Sequence, residues 1–156
     1  LDLVRLARAP AATRVALLRW QLFNLLIGNG DAHLKNLSFL VDGRGYTLAP
    51  HYDLLSTAVY RAPNWADAEL VIPMGGEHRM GAIRRHHVMA FGEILKIPQP
   101  VCTRLLDQLL ARISVVARNL LERHANGAWG QVLAGEARLL RQIVHGPLHD
   151  AALALQ

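Results

Sequence analysis

A mainly helical domain with one small β-hairpin is what this sequence predicts, and three observations predict it. Apolar residues recur at helical spacing over most of the chain, as in Val15, Leu18, Leu22 and Leu25. Two short apolar runs are split by an Asp42–Gly43 turn signal in L-S-F-L-V-D-G-R-G-Y-T-L, the mark of a hairpin. The 156 residues are 52% hydrophobic and 19% charged, which suits a single domain, 1–156, with a core of its own and excludes a disordered chain.

The elements follow in order. The chain opens on Leu1 without an initiator methionine, which reads as a piece cut from something longer or processed. Residues 1–8 have helical periodicity. Pro10 begins the next helix, because a first helical position needs no N–H, and Gly28 ends it, with Trp20 and Phe23 expected in the core. After the hairpin, residues 54–60 read as a helical turn and A-P-N-W-A-D as loop. Leu70, Val71 and Ile72 read as a brief buried strand before Pro73. M-G-G-E-H-R-M-G-A reads as a glycine-rich turn, since Gly75 and Gly76 lack the Lys and Ser/Thr that follow in a phosphate-binding loop. A helix is predicted over 84–96, then a break at Pro98 and Pro100. The long amphipathic helix after it carries a core stripe of Cys102, Leu105, Leu109, Ile113, Val116 and Leu120, with Arg104, Arg112, Arg118 and Arg123 on its solvated face. A last helix over 131–145 is stopped by Gly146 and Pro147.

Composition narrows the function. Seventeen Lys and Arg against twelve Asp and Glu give a net charge of +5, which favours acidic partners, but no continuous basic block is present and the arginines read as an ordinary surface. No apolar run approaches the ~20 residues of a membrane helix and no secretory leader is seen, so a soluble, cytoplasmic protein without a membrane partner is expected. The single cysteine, Cys102, has no intrachain partner and sits at a core spacing, which predicts a buried, inert thiol. His86 and His87 are neighbours whose rings should diverge on a helix, a poor arrangement for zinc.

Chemistry concentrates in I-G-N-G-D-A-H-L-K-N, Ile27 to Asn36. In protein kinases the catalytic loop H-R-D-x-x-x-x-N supplies an aspartate that accepts the proton of the attacking hydroxyl and, five residues on, an asparagine that holds magnesium. Asp31 and Asn36 stand five apart. A second metal-holding aspartate should follow a short hairpin, and Asp53 falls there. Such an oxygen set suits Mg2+, which takes one or two carboxylates and completes its shell with water and substrate phosphates. Gly28, Asn29, Gly30 and Asp31 would also serve as a plain helix stop and turn, for backbone reasons alone.

The run F-N-L-L-I-G-N-G-D-A-H-L-K-N-L-S-F-L with L-A-P-H-Y-D-L-L-S-T closely resembles the kinase core of HipA-type proteins, the toxin halves of bacterial toxin–antitoxin pairs. The resemblance is dense over about 35 residues and extends more loosely to I-P-M-G-G and the helical tail. It implies the helical C-terminal lobe of a protein-kinase-like fold. It further implies Asp31 as catalytic base, Asn36 and Asp53 as metal ligands, and His33, Lys35 and Asn36 with Tyr52 and Asp53 as the near wall of an ATP site. His33 holds the place of the kinase residue that reaches toward the transferred phosphate, and reads equally as a packed loop histidine hydrogen-bonded to backbone, whereas Lys35 reads as a solvated loop charge. The D-x-H-x-x-N order is also similar to phosphoinositide kinases, and Y-D-L-L stands where ordinary protein kinases have D-F-G.

A glycine-rich roof and a phosphate-pairing lysine should precede the catalytic loop, yet the only lysines are Lys35 and Lys96 and no G-x-G-x-x-G precedes Asp31. The expectation is therefore the C-terminal lobe of a larger enzyme, inactive by itself. The resemblance implies an ATP- and magnesium-dependent serine/threonine protein kinase acting on a translation-related protein such as an aminoacyl-tRNA synthetase. It also implies a HipB-like helix-turn-helix antitoxin as partner, with DNA reached through that complex. A small-molecule or lipid kinase lobe shares the Asp–Asn–Asp layout, and a non-catalytic module that binds a partner or DNA is the third alternative.

Overall fold

The computed structural model of the protein describes residues 2–60, 64–128, 130–131 and 133–156. After a single turn, α1 (Asp2–Arg5), the chain enters the helix around which the rest packs, α2 (Pro10–Ile27). Pro10 opens α2 as predicted, and Leu18, Leu22, Leu25 and Leu26 are buried in the core cluster. Such a helix, apolar on most sides, must be enclosed by other elements. Gly28 stops it in the left-handed region, at φ 69°, with its N–H on the Leu25 carbonyl at 3.1 Å and the Asn29 N–H on the Asn24 carbonyl at 2.8 Å. Glycine adopts that conformation without a Cβ penalty, so the chain turns sharply at the position where the loop begins.

The helix expected over 1–8 is shorter than its periodicity implied. Ala7 instead forms a parallel bridge to Tyr46, and the Arg8 N–H donates to the Tyr46 carbonyl at 2.8 Å. Backbone pairing to the hairpin wins because one helical turn satisfies almost none of its own donors and acceptors. The hairpin itself is as predicted: β1 (Phe39–Asp42) and β2 (Gly45–Leu48) run antiparallel from Phe39↔Leu48 to Asp42↔Gly45, around a two-residue turn.

A second hairpin is a correction to the single one expected. β3 (Glu69–Met74) continues through Pro73 and turns at Gly75 and Gly76, both at positive φ, into β4 (Glu77–Arg79). Pro73 is tolerated because the two-stranded ladder is irregular there, leaving no pairing that needs its N–H. Of residues 54–60 only Thr57–Tyr60 forms a 3-10 turn, and a further 3-10 turn, Trp65–Asp67, begins with the Asn64 side chain accepting from the Ala66 N–H. The start of the loop predicted there, Ala62 and Pro63, lies outside the described residues.

Helices α3 (Arg85–Ile94) and α4 (Gln99–Ala125) follow. Pro100 does not break the chain; it lies in the first turn of α4, where a missing N–H costs nothing. The buried face of α4 is Cys102, Leu106, Ile113 and Ala117, whereas Val116 and Leu120 of the predicted stripe are exposed and Leu105 and Leu109 are half-buried. Cys102 is fully buried, and burial pushes its thiol above the usual range, as an inert core residue requires. The rings of His86 and His87 do not diverge. Their centroids are 3.9 Å apart, because the Arg84 N–H at the start of α3 donates to His87 Nδ1 at 3.0 Å and swings that ring back over its neighbour.

Helix α5 (Ala134–Ile143) starts later than predicted, residue 132 lying outside the described residues, and the stop at Gly146 and Pro147 is as predicted: Gly146 leaves the helical region, at φ −103° and ψ −110°, and the chain bends there. Past the bend, α6 (His149–Ala154) returns to the core, where Leu148, Ala151, Ala152 and Leu155 are buried. No helix among the described residues is long and apolar enough to cross a membrane.

Candidate active site

The loop after α2 is held by side chains to which the sequence assigns no role in the site, one of them Asn29 of the expected turn. Asn24, in the last turns of α2, is fully buried and donates to the Trp20 carbonyl at 2.9 Å, which fixes its amide so that Oδ1 is free to accept. Asn29 fills that acceptor at 2.9 Å. Its amide nitrogen also reaches the Asp53 carbonyl at 3.2 Å, and its Oδ1 accepts the Asp31 N–H at 3.0 Å. One buried carboxamide therefore ties the backbone of Asp31 to that of Asp53.

The segment after Asp53 returns to the same junction. The Ser56 hydroxyl donates to the Ile27 carbonyl, Thr57 Oγ1 accepts the Gly30 N–H at 2.8 Å, and the Ala58 N–H donates to the Gly28 carbonyl at 2.9 Å. The first and last of these contacts use carbonyls left over at the end of α2, which a helix cannot satisfy from within. Asn24, Asn29, Ser56 and Thr57 are thus the supporting residues, and the signal for them was a pair of asparagines inside an otherwise apolar run and the S-T that follows Y-D-L-L.

Asn36 and Asp53 meet directly. The buried Asn36 donates from Nδ2 to the Asp53 carboxylate, and its Oδ1 accepts the His33 N–H at 3.0 Å. Both neighbours agree on the amide's orientation: an N–H needs an acceptor, a carboxylate needs a donor, and the flipped amide would satisfy neither. Asp53 sits at φ 57°, in the left-handed region that costs a non-glycine residue on the order of 1–3 kcal/mol and is held where surroundings over-determine it. Its carbonyl on Asn29 and its carboxylate on Asn36 supply that restraint.

Tyr52 closes the loop from the other side. Its hydroxyl donates to the Lys35 carbonyl at 2.9 Å, and since a phenol has one proton, the Ser38 hydroxyl at 2.9 Å must be the donor in their contact. Asp31 and Lys35 are exposed, and among the described residues neither side chain has a hydrogen bond or ion pair. The His33 ring is half-buried with Nδ1 unpartnered. Of the six predicted residues, Asn36 and Asp53 are brought into contact, Asp31 shares their anchor through Asn29, Tyr52 is a strut to the backbone of Lys35, and the Lys35 ammonium joins nothing among the described residues.

The donor set is compatible with Mg2+. Asp53 offers two carboxylate oxygens, one of them committed only to a displaceable amide N–H, and Asn36 Oδ1 keeps a second lone pair. All are hard oxygens, and no cluster of three or more His, Cys, Asp or Glu able to hold a metal occurs among the described residues.

Comparison with known proteins gives the family and the fold. The HipA-like C-terminal domain pattern matches residues 1–117. The serine/threonine-protein kinase toxin HipA of Shewanella oneidensis is 34% identical over 106 residues, covering 68% of this chain and 24% of that protein. Protein Y4mE of Sinorhizobium fredii, named as a kinase candidate, is 50% identical over 145 residues, 88% of this chain and 34% of its own length. The HipA structure from the Shewanella oneidensis MR-1 complex of HipA, HipB and operator DNA superposes with a TM-score of 0.72 at 26% identity, covering 96% of this chain and 33% of that one. The chain spans about a quarter to a third of the length of these relatives. With the pattern matched across the site and the fold shared nearly end to end, the chain belongs to the HipA-like C-terminal domain family, among whose relatives are named kinases.

Proposed function

We propose that this chain, taken as one domain over 1–156, is the base-bearing lobe of an ATP-dependent serine/threonine protein kinase of the HipA type. The observation that supports it most is the junction of Asn36 with Asp53, seventeen residues apart, on the same buried Asn29 that anchors Asp31. In this reading Asp31 takes the proton from a seryl or threonyl hydroxyl as its oxygen bonds to the γ-phosphorus. The bond from that phosphorus to the bridging oxygen breaks, and ADP leaves with the electron pair. Asn36 and Asp53 would hold Mg2+ through their oxygens, and the ion would supply positive charge against the phosphates. His33 faces the transferred phosphate, Tyr52 fixes the backbone of Lys35 along the nucleotide wall, and Lys35 contributes at most a rim charge.

The roof over the phosphates and the lysine that pairs with them belong, in this proposal, to a part of the protein outside this chain, so the lobe alone is inactive. The names of the relatives extend the reading. The target is a protein, with a translation-related one such as an aminoacyl-tRNA synthetase as the specific proposal. A HipB-like antitoxin is the partner and DNA is reached through it, in keeping with the named complex of HipA, HipB and operator DNA; the helix-turn-helix character of that antitoxin and the cytoplasm as compartment are carried over from the sequence resemblance alone. Asp31→Asn in the full-length protein tests the central claim. The side chain is exposed and nearly isosteric, so the fold should survive, while loss of a positioned base lowers kcat about 10²–10⁴-fold. Near-normal phosphotransfer would remove Asp31 from that role.

A further inference from the structure

A groove of about 900 Å³ runs between α2, α4 and the residues just before and after Asp53, and nothing in the phosphotransfer chemistry uses it. His51 and Leu54, the residues flanking Tyr52 and Asp53, form one wall, so the groove opens on the same loop that carries the proposed metal ligand. Its apolar side includes the Val116 that the core leaves exposed. Arg19 of α2 and Arg112 of α4 stand on either side, both exposed, and among the described residues neither has an acidic partner. Among the described residues no Asp or Glu lines it. The groove also contains two side chains with buried, unpartnered nitrogens, Trp20 Nε1 and His51 Nδ1, whose rings lie 6.3 Å apart.

An apolar trough rimmed by two unpaired guanidinium groups matches a segment in which apolar side chains alternate with carboxylates, because arginine takes carboxylate in a bidentate fork while the trough removes aliphatic surface from water. A single-stranded nucleic acid fits less well: the wall is aliphatic along α4, where base stacking asks for open aromatic faces, and two arginines make few phosphate contacts. We propose that this groove is a docking site for an acidic, apolar segment of the protein substrate, placed to hold the substrate beside the Asp53 loop. The identity of the occupant rests on the protein-kinase reading above; the chemistry of the groove does not.

Binding is measured without nucleotide, by fluorescence anisotropy of the full-length protein with a short labelled peptide alternating Leu and Glu. A Leu/Lys peptide and oligothymidine are the competitors in parallel. Saturable binding of the Leu/Glu peptide is expected, with none of the Leu/Lys peptide. The paired change Arg19→Glu with Arg112→Glu should weaken it at least about tenfold, and Arg19→Lys with Arg112→Lys should keep most of it, since both positions are exposed and neither pair should disturb folding. Equal binding of the two peptides, indifference to charge reversal, or preference for oligothymidine would overturn the proposal. So would self-association through this face, seen as a dimer that Val116→Asp abolishes and the peptide cannot displace. The two readings separate cleanly: Asp31→Asn should leave peptide binding unchanged, peptide binding without phosphotransfer to any protein would sink the kinase reading alone, and phosphotransfer without peptide binding would sink the groove alone.

Discussion

Replacing Asn29 by alanine removes three hydrogen bonds at once, to Asn24 Oδ1 at 2.9 Å, the Asp53 carbonyl at 3.2 Å and the Asp31 N–H at 3.0 Å. The groups left behind differ. Asn24 is fully buried and water cannot replace its lost donor, a desolvation penalty of about 1–3 kcal/mol, whereas the two backbone groups are partly reachable by water and cost about 0.5 kcal/mol each. The sum is about 2–4 kcal/mol, or roughly 4–16 °C in midpoint for a domain of this size. Asn29→Asp sharpens the test. It keeps the acceptor for Asp31 but loses both donors and sets a carboxylate against Asn24 Oδ1, and Asn24 cannot flip to help without giving up its bond to the Trp20 carbonyl. The near-isosteric aspartate should therefore be no better than alanine. Urea denaturation followed by circular dichroism, with slopes compared to confirm an unchanged transition, reads both changes. A loss below about 1 kcal/mol for alanine, or wild-type stability for aspartate, would show that Asn29 is not the anchor described.

Further expectations concern the same loop. Gly28→Ala places a Cβ at φ 69° and 2.9 Å from Pro147 Cβ, so a loss of more than about 1 kcal/mol is expected, and a neutral result in thermal melts would mean that the α5–α6 bend yields freely. His33→Ala should lower kcat while Lys35→Ala changes it little; steady-state kinetics giving the opposite order would reverse the two roles. Isothermal titration of the 156-residue chain with Mg-ATP should show weak binding and no turnover, because Asn36 and Asp53 form one wall only, and tight binding would mean that the nucleotide site is complete within this chain.

What could be read from the sequence was whatever a local rule controls. Pro10 and Gly28 bound α2, and Asp42–Gly43 placed the first hairpin, because those residues act through their own backbone. The second hairpin escaped because E-H-R carries no apolar alternation, and the backbone of Gly75 and Gly76 alone forms its turn. On α4 apolar residues occupy adjacent positions, Leu105 with Leu106 and Val115 with Val116, so periodicity admitted two faces. The choice fell to whichever face meets the core, and that depends on α3 and the chain end. In the proposed site, spacing pointed to Asp31, Asn36 and Asp53, because the proposed chemistry sets their separation, but Asn24 and Asn29 act through burial, which a turn-forming residue type does not announce.

Pro147 presses on Gly28 from the far end of the chain, with Ala58 on the other side, and the family pattern ends thirty residues before it, at 117. A backstop of that kind requires bulk in one place and no particular chemistry, so drift in the tail's sequence is compatible with constancy in its position. Trimming the protein to the recognisable segment would leave every proposed catalytic group in place and take away what keeps the start of their loop from backing out.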